Sequence, residues 1–171
     1  MSWPEETLKI IKSRRSVRSF RPEKIPPDTI KKVLEAGRWA PSGLNNQPWR
    51  FIVVTSEEMK SKIKAFTTDA HIIEQAPCLI VVLLNQKSSY DRTKDLMAIG
   101  ACIQNMLLLA HSLDLGTCWL GEILNRREEV EKILGVSPEN EMVAVVALGY
   151  PLPEERKSSR HNLEKLILKE F

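Results

Sequence analysis

Arg14, Arg15, Arg18 and Arg21 fall within eight residues, with Ser13, Ser16 and Ser19 set among them. In an extended segment side chains alternate, so Arg14, Ser16 and Arg18 would point to one side. Two guanidinium forks and a hydroxyl converging on one spot suit a phosphate, which takes bidentate, charge-assisted hydrogen bonds. The same spacing fits a solvated basic turn, because runs of charge are usually just exposed. Spacing alone leaves the two readings level.

A second stretch, residues 39–51, reads WAPSGLNNQPWRF. It is an irregular polar loop between tryptophans, rich in amides and hydroxyls that donate and accept together. Such a loop either turns the chain or reads the edge of a heterocycle. Turn chemistry accounts for its Pro, Ser, Gly and Asn, and less well for Gln47-Pro48-Trp49. Elsewhere the reactive residue types do not assemble. His71, His111 and His161 stand alone, and His111, on a helix, reads as a packed residue or subunit contact rather than a base. Ser42 lacks a GxSxG elbow, and the chain holds neither GxGxxG nor a P-loop. Cys78, Cys102 and Cys118 form no CxxC pair and have no histidine at metal spacing. In apolar surroundings they read as reduced core residues of a cytoplasmic protein.

These stretches need a scaffold. A chain of 171 residues with 43% hydrophobic and 27% charged residues suits one globular domain. A net charge of +3, dispersed along the chain, does not argue for nucleic acid. The N-terminus is amphipathic and has no apolar run, so it does not read as a signal peptide. Residues 91–122 are the organising stretch. Leu96, Ile99, Ile103, Met106, Leu107, Ala110 and Leu113 recur at helical steps, and Leu108 and Leu109 widen the apolar arc, which predicts a buried helix. Gln104, Asn105, His111 and Asp114 interrupt it, so it is not a membrane span. Gly116 is expected to end this helix in the left-handed region. Residues 117–120 then form a short strand stopped by Gly121. Further helices are expected at 4–12, 28–38, 56–66 and 126–134, and strands at 51–55, 78–84 and 141–148. The continuous apolar run 78–84 should be covered on both faces. The pattern is α+β, with helices on both sides of the sheet. Leu163, Leu166, Ile167 and Leu168 in the tail should dock on another surface, a second subunit being one candidate.

Taken together, four segments resemble the FMN-dependent nitroreductase family. They are Arg14-Arg15-Ser16-Val17-Arg18-Ser19-Phe20, Ala40-Pro41-Ser42-Gly43-Leu44-Asn45-Asn46-Gln47-Pro48-Trp49, Leu115-Gly116-Thr117-Cys118-Trp119-Leu120-Gly121 and Gly149-Tyr150-Pro151. They occur in the family's order and span almost the whole chain, and the Pro-Ser and Asn-x-Gln-Pro-Trp loop is the most distinctive. The resemblance implies a single FMN-binding domain over 1–171, with a central mixed β-sheet flanked by helices and a long buried central helix. It implies a homodimer with exchanged tails and FMN at the subunit interface. Arg14, Ser16 and Arg18, with Arg15 beside them, would hold the phosphate and ribityl chain, and Arg160 would reach the phosphate from the tail. Pro41, Ser42, Asn45 and Gln47 would approach the flavin, some of them from the partner. Leu120, Gly121 and Glu122 would offer backbone N–H groups to the flavin edge.

The implied reaction passes hydride from NADH or NADPH through flavin to a small acceptor such as a nitroaromatic or quinone. It requires no catalytic side chain, in keeping with the absence of a convincing dyad. Flavin fragmentation, reductive dehalogenation, enone reduction and a non-catalytic FMN-binding or redox-sensing role share the same fold. Two departures stand out. Glu122 replaces a small residue common in the family, and the six residues 85–90 leave no room for the helices that cover the substrate in larger members.

Overall fold

The computed structural model describes residues 2–171. Its centre is β2 (Cys78–Asn85), whose eight residues are all buried. Every side chain of CLIVVLLN is therefore covered by helices on one face or the other, as a continuous apolar run requires. Cys78, Ile80, Val82 and Leu84 pack with α2 (Pro27–Arg38) and α5 (Arg92–Ser112). Leu79, Val81 and Leu83 pack on the other face with residues of α3 (Glu57–Ile63), α4 (Ala70–Gln75) and α6 (Arg127–Leu134). Two apolar cores thus enclose one sheet.

The sheet also contains β1 (Trp49–Val54), β3 (Gly116–Leu120) and β4 (Asn140–Gly149), in the order β1-β2-β4-β3. All three pairings are antiparallel, so the expected mixed sheet is corrected. The reason lies in α5. At about 1.5 Å per residue it carries the chain roughly 30 Å back along the sheet. β3 therefore runs in the same direction as β2, but β4 lies between them and pairs antiparallel with both. The parallel pairing among the described residues is an isolated bridge to Thr117 of β3 from Ser16, which lies outside the strands.

The end of α5 also differs from expectation. The helix stops at Ser112, and the left-handed residue is Asp114, with φ 58°. Aspartate tolerates this region better than most residues. Gly116 opens β3 instead, because a Cβ there would lie 2.7 Å from Cγ2 of Val17. The absent side chain lets the arginine segment close onto the sheet.

Two elements find little cover in the single chain. α1 (Trp3–Ser13) buries none of its residues, and Leu163, Leu166, Ile167 and Leu168 of the tail are exposed. Among the described residues no helix is long and apolar enough to cross a membrane.

Candidate active site

The segment after α1 is pinned to the β3 edge of the sheet. Val17 N–H donates to Thr117 O at 2.8 Å, Phe20 N–H to Gln75 Oε1 at 3.2 Å, and Arg21 N–H to Tyr150 O at 2.9 Å. Val17 and Phe20 are buried. The polar residues between them turn outward, and Arg14, Arg15, Ser16, Arg18 and Arg160 line a common cavity of about 430 Å³. Alternation puts Arg14, Ser16 and Arg18 on one side of an extended segment, but Arg15 and Ser19, of the other parity, line the same cavity as well.

The cavity is short of negative charge. Its two acidic neighbours are engaged, Glu154 with Arg156 at 2.9 Å and Glu155 with Lys157 at 3.5 Å. Among the described residues, none of Arg14, Arg15, Arg18 and Arg160 forms an ion pair with a carboxylate. Arg15 braces the tail instead, donating to Lys12 O at 2.6 Å and to Arg156 O at 3.3 Å. Burial depresses the pKa of Arg14, and the nearby charges of Arg160 and Arg15 depress it further. A half-buried guanidinium crowded by like charges is stabilised by an incoming anion.

β3 delivers the other part of this edge. Leu120 is buried, Gly121 is exposed, and Glu122 begins a short 3₁₀ turn. The Glu122 carboxylate accepts hydrogen bonds from Thr67 Oγ1 at 2.6 Å and Thr68 N–H at 2.9 Å. These bonds, the Thr67 hydroxyl first, hold its pKa below the usual carboxylate range. The Glu122 side chain therefore ties the corner to the 66–69 loop. Thr67 and Thr68 were not foreseeable from pattern, since residues 67–76 carry no clear periodicity.

The Pro41–Gln47 loop lies elsewhere. It feeds β1, at the opposite edge of the sheet. Trp49 aligns with Leu84 and through it with Glu141, whereas Ser16 bridges Thr117, which aligns with Leu148. Ser16 lies one spacing beyond β3, so four strand spacings of about 4.8 Å and about seven residues of about 3.3 Å put the two places on the order of 30 Å apart. None of Pro41, Ser42, Asn45 and Gln47 lines the arginine cavity. Within the loop, Leu44, Asn45 and Gln47 all have positive φ, at 55°, 52° and 46°. Gln47 N–H donates to Ser42 Oγ at 3.0 Å, and Asn46 Nδ2 donates to Ser88 O at 2.9 Å and to Asp95 Oδ1 at 2.7 Å. Asn45 and Gln47 are left exposed.

A larger cleft of about 670 Å³ lies under the Pro22–Pro27 connector. Its buried cation, Lys60, is already taken by Ala76 O at 2.7 Å, Glu74 O at 3.4 Å and the Glu57 carboxylate at 2.9 Å. No cluster of potential metal ligands occurs among the described residues.

The same set of features identifies relatives. The Nitroreductase family model matches residues 11–72 and 64–150. This chain belongs to the nitroreductase family. A relative from Archaeoglobus fulgidus, named as an NADH dehydrogenase/NAD(P)H nitroreductase, is 39% identical over 156 residues, covering 88% of each protein. A crystal structure of a nitroreductase from Desulfovibrio desulfuricans in complex with FMN superposes with a TM-score of 0.91, at 40% identity and over 96% of each chain. A Thermotoga neapolitana protein named as an iodotyrosine deiodinase is 27% identical over 179 residues, covering 90% of this chain and 93% of that one. The nitroreductase fold seen here is thus shared over nearly the whole chain.

Proposed function

We propose that this nitroreductase binds FMN between two copies of the chain and uses NADH or NADPH to reduce a small acceptor of the nitroaromatic or quinone type. The observation that carries the reading is the cavity in which Arg14, Arg15, Arg18 and Arg160 converge with Ser16 and have no carboxylate partner. A partly buried guanidinium without a counter-ion, as at Arg14, is costly, and a phosphate of two negative charges within reach of the exposed Arg18 and Arg160 offsets that cost. The FMN-bound relative from Desulfovibrio desulfuricans supports the choice of anion.

Each group then has a task. Arg14, Ser16 and Arg18 grip the phosphate and ribityl chain, Arg160 closes over them from the tail, and Arg15 keeps the tail in place through Arg156 O. The backbone N–H groups of Gly121 and Glu122 face the flavin edge as fixed dipoles. Pro41, Ser42, Asn45 and Gln47 come from the second subunit, because the same chain's loop sits at the other end of the sheet. The exposed tail from Leu163 to Phe171 and the uncovered α1 supply apolar surface for that association. When bound, FMN supplies the hydride acceptor and donor; the chain supplies binding, orientation and electrostatics. The six-residue connection 86–91 between β2 and α5 leaves the acceptor side open.

The deciding experiment is a visible absorption spectrum of the purified protein, taken before and after anaerobic NADH or NADPH. A flavin spectrum that bleaches with pyridine nucleotide is the expected result. Flavin that does not bleach points to a binding or sensing role. A colourless protein that refuses added FMN overturns the reading.

A further inference from the structure

Asp95 sits in the first turn of α5 and is completely buried. A buried carboxylate is costly unless every oxygen is satisfied. Here Oδ1 accepts from Asn46 Nδ2 at 2.7 Å, while Oδ2 accepts from Ser89 Oγ at 2.6 Å, Tyr90 N–H at 3.1 Å and Asp91 N–H at 3.4 Å. Burial pushes its pKa upward, but the donors outweigh burial and hold the carboxyl below its usual range. Asp95 is thus an anion that collects donors from two loops.

Those loops meet at Gly43. The Tyr90 ring fills the space that a side chain there would need, its hydroxyl oxygen 1.9 Å from where a Cβ would stand. Asp95 therefore holds the polar loop from two sides, at Asn46 directly and at Gly43 through Tyr90. The loop needs such a hold. Leu44, Asn45 and Gln47 occupy the left-handed region, which non-glycine residues keep only where their surroundings over-determine it. Asn45 and Gln47 are exposed, with Gln47 Nε2 donating to Asn45 O at 3.2 Å.

We propose that Asp95 is a positioning residue of the flavin site. By holding Asn46 and Tyr90, it presents Asn45 and Gln47 to the FMN bound by the second subunit's arginines. The proposal rests on the FMN-dimer reading and adds to it a residue that acts in trans, far from the arginine cluster of its own chain. Removing the carboxylate frees the loop to leave its strained conformation, and the flavin then loses one wall while its phosphate grip stays intact.

The test uses Asp95→Asn, Asn46→Ala and the wild-type dimer. Asp95→Asn replaces an all-acceptor group by one that must turn a donor toward Asn46 or toward the N–H groups of Tyr90 and Asp91. Asn46→Ala frees the loop and leaves Asp95 with its other three donors, so it serves if Asp95→Asn does not fold. In a folded variant, FMN affinity should fall about tenfold and kcat should fall with it, with the apo far-UV circular dichroism spectrum unchanged. Co-expression with an Arg14→Ala/Arg18→Ala chain then separates positioning in trans from a structural role. A mixed dimer carries one site with both faults and one site with neither. With random pairing, total activity should recover to about a quarter of wild type. Unchanged FMN affinity and kcat in the folded variants overturns the proposal, and so does a mixture no more active than either parent. Failure of wild-type protein to bind FMN overturns instead the reading beneath it.

Discussion

The Glu122 carboxylate accepts a hydrogen bond from Thr67 Oγ1 at 2.6 Å, and a second from Thr68 N–H at 2.9 Å. The residue that departs from the small side chain common in the family is therefore a strut between the β3 corner and the 66–69 loop. Its charge is turned toward N–H and O–H donors rather than left free. A strut of this kind fixes the backbone donors of Gly121 and Glu122. In Glu122→Ala, kcat/KM for the pyridine nucleotide should fall about tenfold, with flavin still bound. Glu122→Gln keeps one carbonyl acceptor and should stay within about threefold of wild type. Equal losses in the two variants would show that charge, not the strut, is what the site uses.

The arginine cavity predicts opposite effects on apo stability and on flavin binding. Arg14→Ala and Arg18→Ala each remove a charge-assisted contact worth roughly 1.5–3 kcal/mol, so FMN affinity should fall at least about tenfold per substitution. Arg14 has a pKa depressed most by burial, and further by crowding from Arg160 and Arg15. Its removal relieves repulsion, and the apo protein should melt no lower than wild type. Isothermal titration with FMN and apo thermal unfolding read the two effects separately. Retained flavin affinity in the double variant would remove the phosphate from this cavity.

Most of the fold was legible because periodicity and burial are properties of single segments. The apolar run of β2, the amphipathic α2 and the long α5 all announce themselves in residue type. The convergence of Arg14, Ser16 and Arg18 was readable for the same reason, since alternation in an extended segment is local. Sheet direction was not readable, because it depends on β4 inserting between β2 and β3. Thr67 and Thr68 were not readable because their partner Glu122 lies more than fifty residues away, and Asp95 was not because, although Ser89, Tyr90 and Asp91 are local, its link to the polar loop through Asn46 spans 49 residues. The sequence pattern at Gly116 fits a left-handed helix end, whereas its requirement is close approach to Val17, a contact between segments about a hundred residues apart.

Gly116→Ala tests that contact. The new Cβ would lie 2.7–2.8 Å from three side-chain atoms of Val17. Val17 is β-branched and has little freedom to rotate away. Overpacking of this kind costs about 1–3 kcal/mol. Denaturant unfolding should show a lower midpoint with an unchanged slope, and flavin affinity should weaken as Ser16 and Arg18 shift with Val17. A variant as stable as wild type would mean that the arginine segment can move off β3 without penalty.

His111 offers a pH test of the same neighbourhood. Its Nε2 lies 2.7 Å from Ser13 Oγ. Burial lowers its pKa and Arg14 lowers it further, against an upward pull from Asp114 and with a smaller downward push from Arg15. A base whose folded pKa lies below its unfolded value binds fewer protons when folded. Stability is then retained above the unfolded value, near 6.5, and is lost as pH falls below it toward the folded pKa. Thermal midpoints of the apo protein should therefore drop between about pH 7.5 and about pH 5.5, and His111→Gln should show a smaller drop. FMN held at Arg14, as proposed, would add negative charge there and favour the protonated imidazole. Loaded wild-type protein should accordingly lose less stability over the same range than apo protein. Equal pH slopes for the wild type and His111→Gln would place the titrating group elsewhere. Equal slopes for loaded and apo protein would place the phosphate away from Arg14.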